Sequence, residues 1–269
     1  MCARPNDCGG GADYCCSSLA ACLANHDGAR QCEDGRDARV TEGQVLWLPL
    51  IKDVNDHSSS LLAMDVEGID FHADITLIPG RVPYGAIRFD GEGDCSAGMT
   101  AYGDCAATNN DQIRVVENSP LLHLGGTGSF ASWIYATDIP PNGGCGCEPI
   151  LTNARSGAYC PTYQFDLHVS TDGDSLNFRC GNPCTAEQTL TSSRSIHLRE
   201  WTHVACTWDA VNGASIYING ELDASGPAVR FPTAPPQQGP FIGQEPGYER
   251  RFDGMIGDIR LFNRAIGLE

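Results

Sequence analysis

Residues 201–222 read WTHVACTWDAVNGASIYINGEL, and this stretch decides the fold. Trp201, His203, Ala205 and Thr207 alternate with Val204, Cys206 and Trp208, the period of two that sends successive side chains to opposite faces of a sheet. Residues 209–213 interrupt the run with turn formers, residues 214–218 resume it, and Asn219-Gly220 supplies the positive φ values of a tight type I′ hairpin. The ribbon is a β-meander, and the rest of the chain has to pack around it.

Working outward, further strands are predicted at 45–51 (VLWLPLI), 71–77, 85–89, 112–117 (QIRVVE), 128–136 (GSFASWIYA), 148–154, 163–170 (YQFDLHVS), 175–180 (SLNFRC), 240–243 and 255–262 (MIGDIRLF). No stretch of this region carries a helix-length period near 3.6, so the class is all-β. Asp172-Gly173 between YQFDLHVS and DSLNFRC is a hairpin signal. Folding about it sets Cys160 close to opposite Cys184, which makes a disulfide between them the expected pairing in the domain. Cys95 and Cys105 bracket a Gly- and Ala-rich loop that a local disulfide would pin. The pairing of Cys145, Cys147, Cys180 and Cys206 stays open.

The chain has 269 residues and fourteen cysteines, enough for one large β domain beside a small disulfide-held module. Residues 1–32 are that module: Cys2, Cys8, Cys15, Cys16, Cys22 and Cys32 accompany few large apolar residues beyond Tyr14, Leu19 and Leu23, so burial alone does not hold a fold there. A zinc site is the competing use of these cysteines, but the module offers His26 alone as a histidine. Residues 33–43 are a polar linker and 44–269 the main domain. Cysteine content on this scale points to an extracellular, secreted setting. No apolar run of signal-peptide or membrane-spanning length occurs, so the sequence reads as a processed or excised chain without membrane insertion. A net charge of −17 repels phosphate backbones and anionic lipid, which excludes nucleic acid as a partner class.

The gap pattern of the first six cysteines resembles inhibitor cystine-knot miniproteins, a resemblance that implies pairs Cys2–Cys16, Cys8–Cys22 and Cys15–Cys32. In the main domain, WTHVACTWD, IYINGEL and FDGMIGDIRLFNRAI, with GAIRFDGEGD, QIRVVENSPLLHL and GSFASWIYA upstream, resemble the laminin-G-like branch of the concanavalin A-like lectins and glucanases. The resemblance spans about residues 44–266 and implies a jelly roll, a sandwich of two antiparallel sheets. It also implies a structural Ca²⁺ at the seam of the first and last strands, with Asp258 as main ligand, Asp90 and Gly91 from the nearby loop, and Asp65 at a turn. Such a cation takes oxygen ligands only.

Glucanases of this fold carry carboxylates at alternate positions of one strand. No E-x-D-x-E pattern is present. Asp90, Glu92 and Asp94 are interleaved with glycine and read as a turn, and Asp166 and His168 share a strand face as a surface pair or a satisfied histidine. No G-x-S-x-G nucleophile motif occurs. The expectation is therefore a non-catalytic extracellular recognition or adhesion module. Its partners would be carbohydrate or a cell-surface protein, and Tyr102, Tyr159 and Tyr248 in Gly-rich loops are the candidate sugar platforms. A self-assembling subunit of an extracellular fibre or layer is the alternative class, and a glycoside hydrolase ranks third.

Overall fold

A computed structural model describes residues 42–50, 53–67, 75–77, 85–90, 111–116, 120–122, 124, 126–137, 147–155, 162–170, 174–182, 186–227, 239–244 and 251–266. The cystine module and most of the linker lie outside them. In chain order the strands are β1 Gln44–Leu48, β2 Met64–Glu67, β3 Ile75–Leu77, β4 Gly85–Asp90, β5 Gln112–Val115, β6 Thr127–Ala136, β7 Cys147–Arg155 and β8 Thr162–Ser170. They continue as β9 Ser175–Asn182, β10 Ala186–Ser195, β11 Thr202–Asp209, β12 Gly213–Ile218, β13 Glu221–Gly226, β14 Phe241–Ile242 and β15 Asp253–Phe262. No helix among the described residues is long and apolar enough to cross a membrane.

All the pairings are antiparallel and sort into two sheets. One has eight strands, ordered β13-β12-β11-β6-β15-β4-β3 with β1 added on β15; the other has seven, ordered β10-β9-β8-β7-β14-β5-β2. The fold is the expected jelly-roll sandwich. Its core is the inward half of each alternation: Phe130 and Ile134 of β6, Val204 and Trp208 of β11 and Ile216 of β12 meet Phe165 and Leu167 of β8 and Phe178 of β9 in one buried cluster. Each such side chain contributes about 1.5–3 kcal/mol on burial.

Trp208 is the centre of that contact. Its ring stacks on Phe178 at 5.2 Å and lies 5.1 Å from Phe165, while its indole N–H donates to Leu124 O at 2.8 Å. The neighbouring strand makes room with Gly128, where a Cβ would fall 2.4 Å from Trp208 Cζ2. At the end of the ribbon, Asn219 and Gly220 have φ of 53° and 78°, as the hairpin signal requires. Asn219 also accepts the His203 N–H on its side-chain oxygen at 2.9 Å.

The structure departs from the sequence reading at two strands. β10, AEQTLTSSRS, carries little apolar alternation, and pairing with β9 holds it extended: Ser192 Oγ accepts the Leu176 N–H at 2.9 Å. β2 contains Asp65, expected at a turn and found opposite Arg114 in the seven-stranded sheet. The β8–β9 hairpin forms as expected, with Tyr163 opposite Gly181; Cys160 and Cys184 themselves lie outside the described residues, as do Cys95 and Cys105. Cys180 and Cys206 are both fully buried, one in each sheet of the core. Burial, with Cys180 adding to it, pushes the Cys206 thiol well above its ordinary pKa.

Candidate functional site

The outward faces of the two sheets are the surfaces where strand order gathers chemistry. Across the seven-stranded sheet, Thr189, Arg179, Asp166, Thr152, Phe241, Arg114 and Asp65 are successive register partners. Asp166 is fully buried and its carboxylate accepts from three neighbouring side chains. Oδ2 accepts from Arg179 Nε at 2.6 Å and from His168 Nδ1 at 2.7 Å, and Oδ1 accepts from Thr152 Oγ1 at 2.6 Å. Burial alone would raise its pKa. The charges of Arg179 and His168 and the hydrogen bonds from His168 and Thr152 override that and hold the group well below the usual carboxylate range. Asn177 Nδ2 lies 3.4 Å from His168 Nε2, on the other side of the ring. At the far end of the row Asp65 pairs with Arg114.

This row does not make a hydrolase. Asp166 and Asp65 stand four strands apart, roughly 19 Å at about 4.8 Å per strand, whereas the paired carboxyls of glycosidases stand about 5–9.5 Å apart. Asp166 also has its acceptor positions taken by its own neighbours.

The outward face of the eight-stranded sheet has a different composition. Its rows read Arg88–Met255–Tyr135, then Ala86–Gly257–Trp133–His203, then Trp47–Arg260–Ala131–Ala205–Tyr217. Trp201, just before β11, extends the first row: its ring lies 5.5 Å from Tyr135. Trp133 meets His203 edge-on at 5.3 Å. Trp133 is buried, but Tyr135, Trp201 and Met255 are half-buried and Arg88 is exposed. The loop leading into Trp201 presents exposed Arg199 and Glu200, Arg199 at φ 60° with its N–H donated to Ala136 O at 2.7 Å. A partly exposed aromatic pair beside polar, charged side chains on a rigid sheet is the combination that receives the apolar face and hydroxyls of a sugar, or an anchor side chain of a protein.

The sequence placed its binding candidates elsewhere. Tyr102, Tyr159 and Tyr248 lie outside the described residues. Tyr135 and Trp201 were legible only as strand residues; the signal that could have found them is β6 itself, whose outward positions hold Trp133 and Tyr135 although only one face of it is needed for the core.

The metal candidates named from the sequence are Asp258, Asp90, Gly91 and Asp65. Asp65 and Asp258 belong to different sheets, Asp90 is the last residue of β4 opposite Asp253, and Gly91 lies outside the described residues. Asp258 occupies a β-bulge of β15 at φ 46°. Its side chain is buried, and Oδ1 accepts from Arg260 Nε at 2.9 Å and from Trp47 Nε1 at 3.1 Å. These residues do not fit calcium at Asp258, because the oxygen it would need already accepts from a guanidinium and an indole N–H. Among the described residues no group of three or more His, Cys, Asp and Glu side chains is arranged to hold a metal.

The family described as the concanavalin A-like lectin/glucanases superfamily matches residues 107–269. No curated protein matches the chain significantly in sequence. Among solved structures it is similar to the binding domain of Paraclostridial Mosquitocidal Protein 1, with a TM-score of 0.58 and 16% identity over 84% of this chain and 50% of that one. The binding domain of botulinum neurotoxin DC in complex with rat synaptotagmin II aligns with a TM-score of 0.56 and 16% identity over 84% of this chain and 49% of that one. Botulinum neurotoxin type C, whose cell entry is described as dependent upon interaction with two ganglioside molecules, aligns at 0.56 and 15% identity over 86% and 50%. The chain thus spans about half the length of these structures, and at this identity the likeness is one of fold.

Proposed function

The chain belongs to the concanavalin A-like lectin/glucanases superfamily, and from that premise we propose that it is a non-catalytic recognition module for carbohydrate or a cell-surface protein. The observation that carries the reading is the half-buried Tyr135–Trp201 pair, continuous with Met255 and exposed Arg88 on the outward face of the eight-stranded sheet. Support comes from the similar solved structures: two are described as binding domains, one of them in complex with synaptotagmin, and the third is a neurotoxin whose cell entry is described as dependent upon gangliosides. Fold alone does not carry a function; the placement of these side chains does. The engagement of both Asp166 oxygens by Arg179, His168 and Thr152 is consistent with a structural use of that carboxylate.

A panel of neutral and sialylated glycans, with detergent-solubilised cell-surface proteins beside it, tests this. The expected result is binding to at least one class that falls tenfold or more, about 1.4 kcal/mol, in Trp201→Ala and in Tyr135→Ala. Full binding by both variants would sink the site, and β-glucan hydrolysis by the native chain would sink the non-catalytic reading. The extracellular setting belongs to the same proposal and rests on cysteine content; six or more reactive thiols in the native protein would overturn it.

A further inference from the structure

We propose that Arg260 is the resident cation of the seam between the first and last strands, a guanidinium built into the chain where the resembling jelly rolls would hold calcium. Three observations on different atoms support it. Asp258 and Arg260 are each about 2% exposed, so the carboxylate has no bulk water to neutralise it and needs a positive partner in the fold. The Arg260 guanidinium lies 5.3 Å from the centre of the Trp47 ring, within the range of a cation–π contact, while the Trp47 indole N–H donates to the same Asp258 oxygen that Arg260 binds. Trp47 and Arg260 are also direct register partners in the β1–β15 pairing. Cation, carboxylate and indole thus form a closed triangle across that pairing.

Asp258 sits in the bulge of β15, at φ 46° where the register shifts between Gly257 and Arg260, and its carboxylate meets the guanidinium of its own strand neighbour. The loop after β1 completes the grip, since Asp56 Oδ1 accepts the Trp47 backbone N–H at 3.0 Å. Trp47 is therefore held through its backbone by Asp56 and through its indole by Asp258, and strand β1 is locked onto β15 without a metal. A guanidinium is suited to such a position because it stays charged at any accessible pH, stacks on an aromatic ring and is less strongly hydrated than an ammonium.

The test uses the intact chain and two kinds of readout. Thermal unfolding is followed with added calcium and with chelator, and terbium is titrated with excitation of tryptophan, since an ion at Asp258 would sit beside Trp47 and take up its energy. The expected result is an unchanged melting temperature and no sensitised terbium emission that depends on Asp258. Asp258→Asn and Arg260→Met should each lower the melting temperature by roughly 6–20 °C, the shift for breaking a buried pair in a domain of this size. The double variant should lose clearly less than the two single losses added together. A calcium-dependent rise in melting temperature that disappears in Asp258→Asn would overturn the proposal, and so would terbium emission lost in that variant. Single variants as stable as the native chain would equally overturn it. If neither variant folds, the native chain still decides: a melting temperature unchanged by calcium or chelator supports the proposal, and one that calcium raises overturns it.

Discussion

The two outward faces of the sandwich belong to two different sheets of antiparallel strands and come out chemically opposite. On the seven-stranded sheet the central charge is turned inward on the protein: Asp166 spends its oxygens on Arg179, His168 and Thr152. On the eight-stranded sheet the charged pair Asp258–Arg260 is buried under Trp47 at one end, and half-buried Tyr135 and Trp201 remain at the other. The difference separates two uses of polar groups. A saturated network stabilises the fold and leaves little for a ligand, whereas aromatic rings that are half in water keep contact area to give.

The sharpest way to break that comparison is Asp166→Ala. It strands the positive charge of Arg179 beside a neutral cavity, and a loss of about 3–5 kcal/mol is expected from chemical denaturation, with glycan binding by the remaining folded protein unchanged. Equal damage to binding would mean that the seven-stranded face is also a site.

A smaller effect concerns acid. The folded pKa of Asp166 is depressed, so its contribution to stability is complete above the unfolded value of about 3.9 and is lost as pH falls below it towards the folded value. Melting followed from pH 6 down to pH 2 should show a steep acid limb that is shallower in Asp166→Asn. An identical slope in the two proteins would mean that other carboxylates govern the limb.

The smallest stability effects are expected on the aromatic face. Trp201→Ala and Tyr135→Ala should each cost no more than about 1–2 kcal/mol, because neither side chain is fully buried, yet they should remove binding. Arg88→Ala, at an exposed position, should change stability by under about 0.5 kcal/mol and weaken binding of charged glycans more than neutral ones. Stability losses above about 3 kcal/mol in the tryptophan variant would turn the face into a structural feature and erase the contrast.

Much of the fold was legible because period two is a local property. Trp201 to Trp208 divide between the faces as their alternation requires, Asn219-Gly220 makes the hairpin, and β8 pairs antiparallel with β9 as expected. β10 was not legible: one inward leucine, Leu190, flanked by Gln188 and Ser192, makes no alternation, and the strand exists because β9 offers it a ladder. The aspartates show the same limit. Asp258 could be singled out from the sequence, but its partner Trp47 lies 211 residues away, and a carboxylate suited to calcium looks identical in sequence to one that already owns an arginine.

By itself, then, the sequence determined the class, the main ribbon, the hairpins and which side chains of each strand go inward, because these follow from the pleat and from turn residues within a few positions of one another. Only the tertiary structure decided which strands become neighbours, and with that which outward residues meet. The register of β4, β15, β6 and β11 set Arg88, Met255, Tyr135 and Trp201 in one row, and the pairing of β1 with β15 brought Trp47 onto Asp258 and Arg260. Such pairings depend on long-range strand order, which the alternation of a single strand does not encode.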